Sequence, residues 1–229
     1  MTSAELDAHW NFGDPRESEA RFRALGGDEA RTQAARALGL RGRFAEADTL
    51  LDGLAEASPL VQMRAVLERG RLRNSSGDAE AAKPLFYDAL ERAQALGTDY
   101  YAIDAAHMLG IVEGEGWTRR AIAMAKESPD RRARGWLGSL YNNLGWSLHD
   151  AERYEEALEA FQTAVECRRE FGQTDRLTSA EWCVARCLRS LGRVEEALVI
   201  LERLLLVAPD SPYVQEEIAA CRGHLNRPV

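Results

Sequence analysis

Proline is rare in this sequence, at 7 of 229 residues, and histidine and cysteine are rarer still, at 4 residues each. Segments that alternate apolar with polar residues and are rich in Val, Ile and Thr are also missing, which argues against β-strands. Ala, Leu, Glu and Arg dominate instead, and all four favour helices. Hydrophobic residues make up 45% of the chain, which is enough for a packed core. The composition therefore predicts an all-α fold.

An excess of positive charge is absent as well, because the formal net charge is −8. A protein that binds duplex nucleic acid normally has a basic face, so no nucleic-acid partner is expected. The chain has no run of 18 apolar residues, and no membrane span is predicted. The first ten residues are acidic and lack a basic segment followed by an apolar one. No secretory signal is expected from them, and the predicted location is the cytoplasm.

The residues that could bind a metal or act as nucleophiles are not arranged for either task. Cys183 and Cys187 share one helix face, but the paired short spacings of a four-cysteine zinc site are absent. The histidines form no His-Glu-x-x-His frame, and no serine lies in a nucleophile elbow. Gly110, Gly114 and Gly116 follow no strand, so they predict a turn and not a phosphate cradle. We expect a non-enzyme with reduced, buried thiols, no metal and no cofactor.

A short motif recurs five times along the chain. Its copies end at spacings of 35, 39, 36 and 40 residues on Ala47, Ala82, Ala121, Ala157 and Ala197. Four copies begin with Gly, and four have a small residue twelve positions before the Ala, at Ala35, Gly70, Gly145 and Ala185. In the third copy the small residue, Gly110, comes only 11 positions before. Two antiparallel helices joined by a short turn need small residues where their axes come closest. The motif therefore predicts five helix pairs.

This pattern resembles the tetratricopeptide repeat family. The fourth copy matches best, because eight residues fall on the family pattern Trp-Asn-Leu-Gly-Tyr…Ala-Phe-Ala: Tyr141, Asn143, Leu144, Gly145, Leu148, Ala157, Phe161 and Ala164. The resemblance covers about residues 28–209. It implies an all-α, right-handed α-solenoid of stacked helix-turn-helix repeats, with capping helices at both ends.

The predicted organisation follows from the repeat. Helices are expected near 28–39 and 43–56, 59–74 and 78–96, 98–113 and 117–127, 131–150 and 153–171, and 175–191 and 193–207. The predicted segments are a tail and capping helix at 1–27, repeats at about 28–58, 59–97, 98–129, 130–173 and 174–209, and a capping helix at 210–229. Asp14 is the expected N-cap of the first capping helix. The last one is expected to present Gln215, Glu216, Glu217 and Arg222 on a polar outer face. We expect one cooperative array and not separable domains.

A second stripe on the first helix of each repeat is the candidate binding surface. With the small residue numbered as position 8, this stripe consists of positions 2, 5, 9 and 12, and in the family it lines a concave groove that holds peptides. Asn143 matches the family Asn at position 6, which in some members contacts a ligand. The candidate groove residues are Arg36, Arg71, Asn142, Asn143, Trp146, Trp182, Arg186 and Arg189.

These residue types predict a ligand that is a protein or peptide with acidic side chains or a free C-terminal carboxylate, plus an apolar anchor. Arginine pairs well with carboxylates, and tryptophan offers a large contact area. Alternatively, the arginines are ordinary solvated surface and the two tryptophans are core wedges. Trp10 and Phe12 are expected to pack on the first helix, or else to lie in a groove.

The predicted function is a non-catalytic binding module. Two alternatives remain open: a peptide-sensing regulator that acts through a partner effector, and a scaffold that self-associates as a homodimer through residues 201–207 or the N-terminal tail.

Overall fold

The structure, a computed structural model, describes residues 3–225. Its helices are α1 (Ser3–Asp7), α2 (Pro15–Leu25), α3 (Asp28–Leu40), α4 (Phe44–Asp52), α5 (Pro59–Ser75), α6 (Ala79–Ala95), α7 (Asp99–Glu113), α8 (Glu115–Glu127), α9 (Arg131–Arg134), α10 (Leu137–Asp150), α11 (Tyr154–Glu170), α12 (Leu177–Ser190), α13 (Val194–Val207) and α14 (Pro212–Leu225). A short 3-10 turn, Thr174–Arg176, precedes α12.

The predicted all-α architecture is confirmed. Helices that follow one another pack in adjacent pairs, and residues 3–225 contain no strand. In this same part of the chain, no helix combines the length and the apolar character needed to cross a bilayer. Predicted and observed helices agree closely where the repeat motif is strongest, as for Tyr154–Glu170, predicted at 153–171.

The chain divides into two compact units. The N-terminal unit extends to Trp117 and contains α1 to α7, and the C-terminal unit begins at Thr118 and contains α9 to α14. The division falls inside α8, in the third repeat, where the spacing of the small residues departs from the other copies. Each unit has its own rows of first and second helices.

Small residues are buried where paired helices come closest. Ala35 and Ala47, on α3 and α4, are both fully buried in one apolar cluster. On α10, a β-carbon added to Gly145 would lie 2.5 Å from ring carbons of Phe161 on α11. No side chain larger than hydrogen fits there without moving the ring. The repeat motif therefore marks helix contacts, as the sequence predicted.

The turns inside the repeats use left-handed backbone. Gly42 and Gly192 have φ of 72° and 75°, and the equivalent residue of the fourth repeat, Glu152, has φ of 59° without being glycine. In the third repeat the turn is at Gly114, with φ of 94°, and α8 begins at Glu115. The predicted start at residue 117 was therefore two residues late, because Gly114 and not Gly116 takes the left-handed conformation.

Two predicted first helices are interrupted near their starts. The segment predicted as one helix over 131–150 consists of α9 and α10, with Gly135 and Trp136 between them. The helix predicted over 175–191 begins as the 3-10 turn and becomes α-helical at Leu177. The first interruption places Gly135 close to the end of α11, where Gln173 donates a hydrogen bond to the Gly135 carbonyl at 2.8 Å.

The N-terminal segment packs on the first capping helix. The Asp14 carboxylate accepts hydrogen bonds from the backbone N–H groups of Arg16 and Glu17, which confirms it as the N-cap of α2. Leu6 and Phe22 are buried together with Ala30 and Ala34, and Trp10 packs against this cluster. The short helix α1, which the sequence did not predict, supplies Leu6.

Candidate functional site

In the N-terminal unit, the predicted groove stripe is filled by ion pairs between successive first helices. Arg64 on α5 donates to Glu29 on α3 at 2.5 Å, and Arg71 on α5 is paired with Asp104 on α7. Arg71 also contacts Glu68 of its own helix at 2.6 Å. We call these five residues the charge ladder. Three carboxylates face its two arginines, so Arg71 is not an isolated cation.

Four of the five ladder residues are buried, and Glu29 is partly exposed. Burial and the ion pairs together shift the pKa values of Arg71 and Asp104. Burial would lower the pKa of Arg71, but Asp104 and Glu68 outweigh it and raise that pKa. Burial would likewise raise the pKa of Asp104, but Arg71 and Arg36 hold it below its usual value. The neighbouring His107 has its pKa lowered to about 4, by burial first and then by Arg71 and Arg36. His107 is therefore neutral near neutral pH.

Arg36, the other candidate in this unit, lies beneath the N-terminal segment. Its guanidinium is 5.4 Å from the ring centre of Trp10 and 5.7 Å from that of Phe12, and these two rings stack 4.7 Å apart. Trp10 also donates its indole N–H to Gln33 at 3.0 Å and packs edge-on against Phe22. The sequence allowed this segment either to pack on the first helix or to lie in the groove. Each interpretation applies in part, because Trp10 contacts Phe22 of α2 and also the predicted groove residue Arg36.

In the C-terminal unit, the same stripe is aromatic. The rings of Trp146 on α10 and Trp182 on α12 have centres 6.1 Å apart, and Trp182 lies 6.3 Å from Tyr213 on α14. The Trp182 indole N–H donates to the Tyr213 carbonyl at 3.1 Å. We call these three residues the aromatic row. Both tryptophans are half-buried, and Trp146 also packs edge-on against the core residue Phe161. The aromatic row therefore extends from the core, at Trp146, to the exposed Tyr213, and it involves α10, α12 and α14.

The two arginines beside the aromatic row share one carboxylate. Glu217 on α14 accepts from Arg189 and, at 3.3 Å, from Arg186. Glu217 is buried, so the prediction that it lies on an outer face was wrong, whereas Gln215 and Glu216 are exposed. The reason is that the face of α14 that carries Glu217 packs against α12, where the carboxylate forms ion pairs with both arginines. One of the two positive charges remains unbalanced, and Arg186 is the more exposed of the pair.

Polar side chains flank the aromatic row on α10. The Asn142 amide oxygen accepts a hydrogen bond from the Cys183 thiol at 3.5 Å, and Asn143 is half-buried beside it. His149 and Ser190 form a hydrogen bond of 2.9 Å between α10 and α12. The structure therefore brings six predicted residues together on α10 and α12: Asn142, Asn143, Trp146, Trp182, Arg186 and Arg189. Arg36 and Arg71 lie in the N-terminal unit, on the stripe described first.

One polar residue near this surface was missed by sequence reasoning. Arg168, on the second helix α11, is only 6% exposed, and within residues 3–225 its one hydrogen bond is a 3.4 Å contact to the neutral Gln173. Its Nε is buried and has no partner in this part of the chain. Arg168 lies on a second helix, outside the stripe of first-helix positions that predicts the groove, so no spacing in the sequence marked it.

The cysteines have the properties of packed thiols. All four are free and buried, and burial raises the pKa of Cys183 and of Cys187 to about 11. Thiols with such values stay protonated and are poor nucleophiles and poor metal ligands. Within residues 3–225, no three side chains of the His, Cys, Asp and Glu types are grouped to bind a metal ion.

Comparison with known families supports the repeat assignment. Residues 148–221, within the C-terminal unit, match the tetratricopeptide repeat family. The resemblance found in the sequence is therefore confirmed, and it is strongest where the fourth and fifth copies lie. Repeats of this family generally mediate protein–protein interaction and are typically non-catalytic. No curated protein matches the chain with statistical significance.

Solved structures share the fold at low sequence identity. The chain is similar to part of a STAND signal transduction ATPase with a tetratricopeptide repeat sensor from Pyrococcus horikoshii, with a TM-score of 0.68 and 13% identity. That match covers 93% of this chain but only 37% of the ATPase chain. BtubC from P. vanneervenii matches over 100% of this chain and 96% of its own, with a TM-score of 0.61 and 17% identity. A kinesin light chain repeat protein from Podospora anserina matches 92% of this chain and 99% of its own, with a TM-score of 0.52 and 16% identity.

Proposed function

We propose that this chain of tetratricopeptide-type helix pairs binds a peptide or an extended segment of another protein on the α10–α12–α14 surface of its C-terminal unit. The observation on which the proposal rests is the aromatic row, with its half-buried tryptophans on adjacent first helices. Half-buried aromatic rings held by a rigid scaffold lose little entropy on binding and offer a large apolar contact. The cytoplasm is the proposed location.

Charge on this surface favours an acidic ligand. Arg186 and Arg189 face one carboxylate, so a net positive charge remains beside Trp182. A ligand that places an acidic side chain or its C-terminal carboxylate near Arg186 would balance that charge. Arg189 is less available, because its guanidinium is the closer partner of Glu217. Asn142 and Asn143, on the same helix as Trp146, are the residues that we expect to hydrogen-bond the main chain of the ligand.

The N-terminal unit contributes less to this proposal. Arg71 is buried and paired with two carboxylates, and the ring of Trp10 covers Arg36. An added acidic ligand would have to compete with those partners, which costs affinity. The roles of Arg36 and Arg71 in binding stay predictions.

The experiment that tests the proposal is a random-peptide display selection on the full chain, followed by affinity measurement on variants. Trp182→Ala is expected to weaken selected peptides by about 2 kcal/mol, roughly thirtyfold, because a central aromatic anchor is lost. Arg186→Gln is expected to weaken only peptides that contain acidic groups. The matched control is Tyr87→Ala, an exposed aromatic residue of the N-terminal unit. Equal affinity for the wild type and Trp182→Ala would contradict the proposal.

A second candidate function, self-association, is favoured by a separate observation. On α13, Val199, Leu206 and Val207 are 70%, 84% and 72% exposed. Apolar side chains this exposed on one helix are a common feature of protein interfaces. Sedimentation over a concentration series is expected to show a dimer that Leu206→Glu abolishes, and a monomer at every concentration would exclude this candidate.

A further inference from the structure

Arg168 differs from the other buried arginines in its lack of a carboxylate partner. Arg64 and Arg71 are as buried as Arg168, and each forms an ion pair with at least one acidic side chain. For Arg168, the described residues provide no acidic group within ion-pair distance, only the Gln173 amide oxygen at 3.4 Å. An arginine stays charged when buried, so the protein tolerates an unbalanced cation at this place.

The surroundings of Arg168 do not neutralise it. Burial lowers the pKa of Arg168, and the charge of Arg176 lowers it further, while Cys183 and Asp175 act in the opposite direction and less strongly. Asp175 is itself within 3.7 Å of Arg176, so its charge is already shared.

The local backbone is shaped around this side chain. Gly138, on α10, faces the stem of Arg168, and a β-carbon there would lie 2.9 Å from its Cγ. The Gln173 amide is held by the hydrogen bond that it donates to the Gly135 carbonyl, which turns its oxygen toward Arg168. Two glycines and one fixed amide therefore set the position of a guanidinium that has unused N–H donors, among them Nε.

Arg168 lies next to the proposed binding surface. The stem of Arg168 faces Gly138 of α10, and Cys183 of α12 contributes to the pKa of Arg168. Cys183 also donates its thiol hydrogen to Asn142, one of the predicted groove residues. Trp182 is the neighbour of Cys183 in the chain and belongs to the aromatic row. The guanidinium thus lies on the α11 side of the place where α10 and α12 meet.

We infer that Arg168 is a carboxylate-binding residue, whose missing partner is an acidic group of the peptide ligand. The inference rests on the proposed function. It adds that the ligand has a carboxylate that reaches the junction of α10, α11 and α12. Either an Asp or Glu side chain or a C-terminal carboxylate supplies this chemistry. Arg168 is a stronger determinant than Arg186, because no carboxylate among residues 3–225 forms an ion pair with it, whereas Glu217 pairs with Arg186.

The first test uses acetate as the probe and needs no identified peptide. Thermal unfolding of the full chain is followed in acetate and in chloride at equal ionic strength, for the wild type, Arg168→Met and Arg169→Met. Arg169 is the matched control, because it is exposed and adjacent in sequence on the same helix. Acetate is expected to raise the midpoint of the wild type and of Arg169→Met relative to chloride, and to raise that of Arg168→Met less. An equal acetate effect on all three proteins would overturn the inference.

The second test uses a peptide from the display selection, synthesised with each acidic side chain changed to its amide and, separately, with an amidated C-terminus. Arg168→Met is expected to bind the acidic peptide roughly tenfold to a hundredfold more weakly. For one of the amide forms, Arg168→Met and the wild type are expected to have equal affinity. The group that was changed to an amide in that form is the carboxylate that contacts Arg168. Equal weakening of acidic and amide forms would show that Arg168 only shapes the surface, and would overturn the inference.

Two controls keep these results separable. If Arg168→Met does not fold, Arg168→Lys retains the charge and the stem but loses the planar fork, and it is expected to bind the acidic peptide with reduced affinity. Equal weakening of the acidic and the amide forms in Arg168→Lys would overturn the inference. If the selection yields no peptide, the proposed function fails while the acetate titration still decides the role of Arg168.

Discussion

Arg71 shows how a single residue can hold two first helices together. Its guanidinium bridges Glu68 of its own helix and Asp104 of the next first helix, and all three side chains are buried. Removing one member of such a group costs more than the group contributes, because the remaining charges stay buried and unpaired.

Arg71→Met is therefore expected to lower the free energy of unfolding by about 3–5 kcal/mol. Urea denaturation measures this loss. Arg69→Met is the matched control, since Arg69 lies on the same helix and pairs with the exposed Asp52. That change is expected to cost less than about 1 kcal/mol. If both variants unfold at the same urea concentration, the buried ion pairs do not stabilise the N-terminal unit.

His107 makes the stability of the same unit depend on pH. Its pKa is about 4 in the folded protein, against 6.5 for the free side chain, so between these values the unfolded state binds the proton and the folded state does not. Stability is therefore expected to fall as the pH drops through this window, by up to about 3 kcal/mol. Asp104 has a lowered pKa, and its contribution is lost only at still lower pH, as that pKa is passed.

The measurement is urea denaturation of the wild type and His107→Gln at about pH 7 and about pH 5. The variant is expected to lose less stability than the wild type between these two values. An equal loss in both proteins would mean that His107 titrates normally in the folded chain.

At the scale of the helix pair, the turn of the fourth repeat is strained. Glu152 has φ of 59° in a position where other repeats have glycine, and a residue with a β-carbon is disfavoured there. Glu152→Gly is expected to raise the free energy of unfolding by up to about 1 kcal/mol. Glu155→Gly, at an exposed position in the first turn of α11, is the control and is expected to destabilise by a similar amount. A loss of stability in Glu152→Gly, measured by thermal unfolding, would contradict this account.

Most of the helix pairs could be predicted from the sequence, because the small residues of the repeat motif lie where the paired helices contact each other. The small residues Ala35 and Gly145 mark the places where paired helices touch, and the helices around them were predicted to within a few residues. The break before α10 could not be predicted, because it depends on Gln173 contacting the Gly135 carbonyl from 38 residues away. In the same way, the partner of Arg186 and Arg189 is Glu217, which lies on a helix that was predicted only as a cap.

At the scale of the whole molecule, the two units present different surfaces on equivalent positions of their helices. The first helices of the N-terminal unit are joined by the charge ladder, and those of the C-terminal unit by the aromatic row. The sequence predicted one basic and aromatic stripe, because spacing shows which residues share a stripe but not which carboxylates lie opposite them. In the second repeat, the arginine at position 9 is Arg71, which pairs with carboxylates of its own helix and of the next first helix. In the fifth repeat it is Arg186, which shares the one carboxylate of Glu217 with Arg189 and can still bind an acidic group of a ligand.

This difference predicts where a ligand protects the chain. In hydrogen–deuterium exchange with a peptide from the selection, amides of α10, α12 and α14 are expected to slow, and those of α3, α5 and α7 are expected to exchange as before. Trp182→Ala in the presence of the same peptide serves as the control and is expected to show little protection in either unit. Protection confined to α3, α5 and α7 would place the binding surface in the N-terminal unit instead.

The closeness of Trp146 and Trp182 also gives the protein an optical property. Two indole rings with centres 6.1 Å apart and planes inclined by 37° are near enough for their excited states to mix. Such a chiral pair produces a circular dichroism signal that depends on the angle between the rings. A ligand that touches either ring would change this signal, so the unlabelled protein reports on its own binding surface.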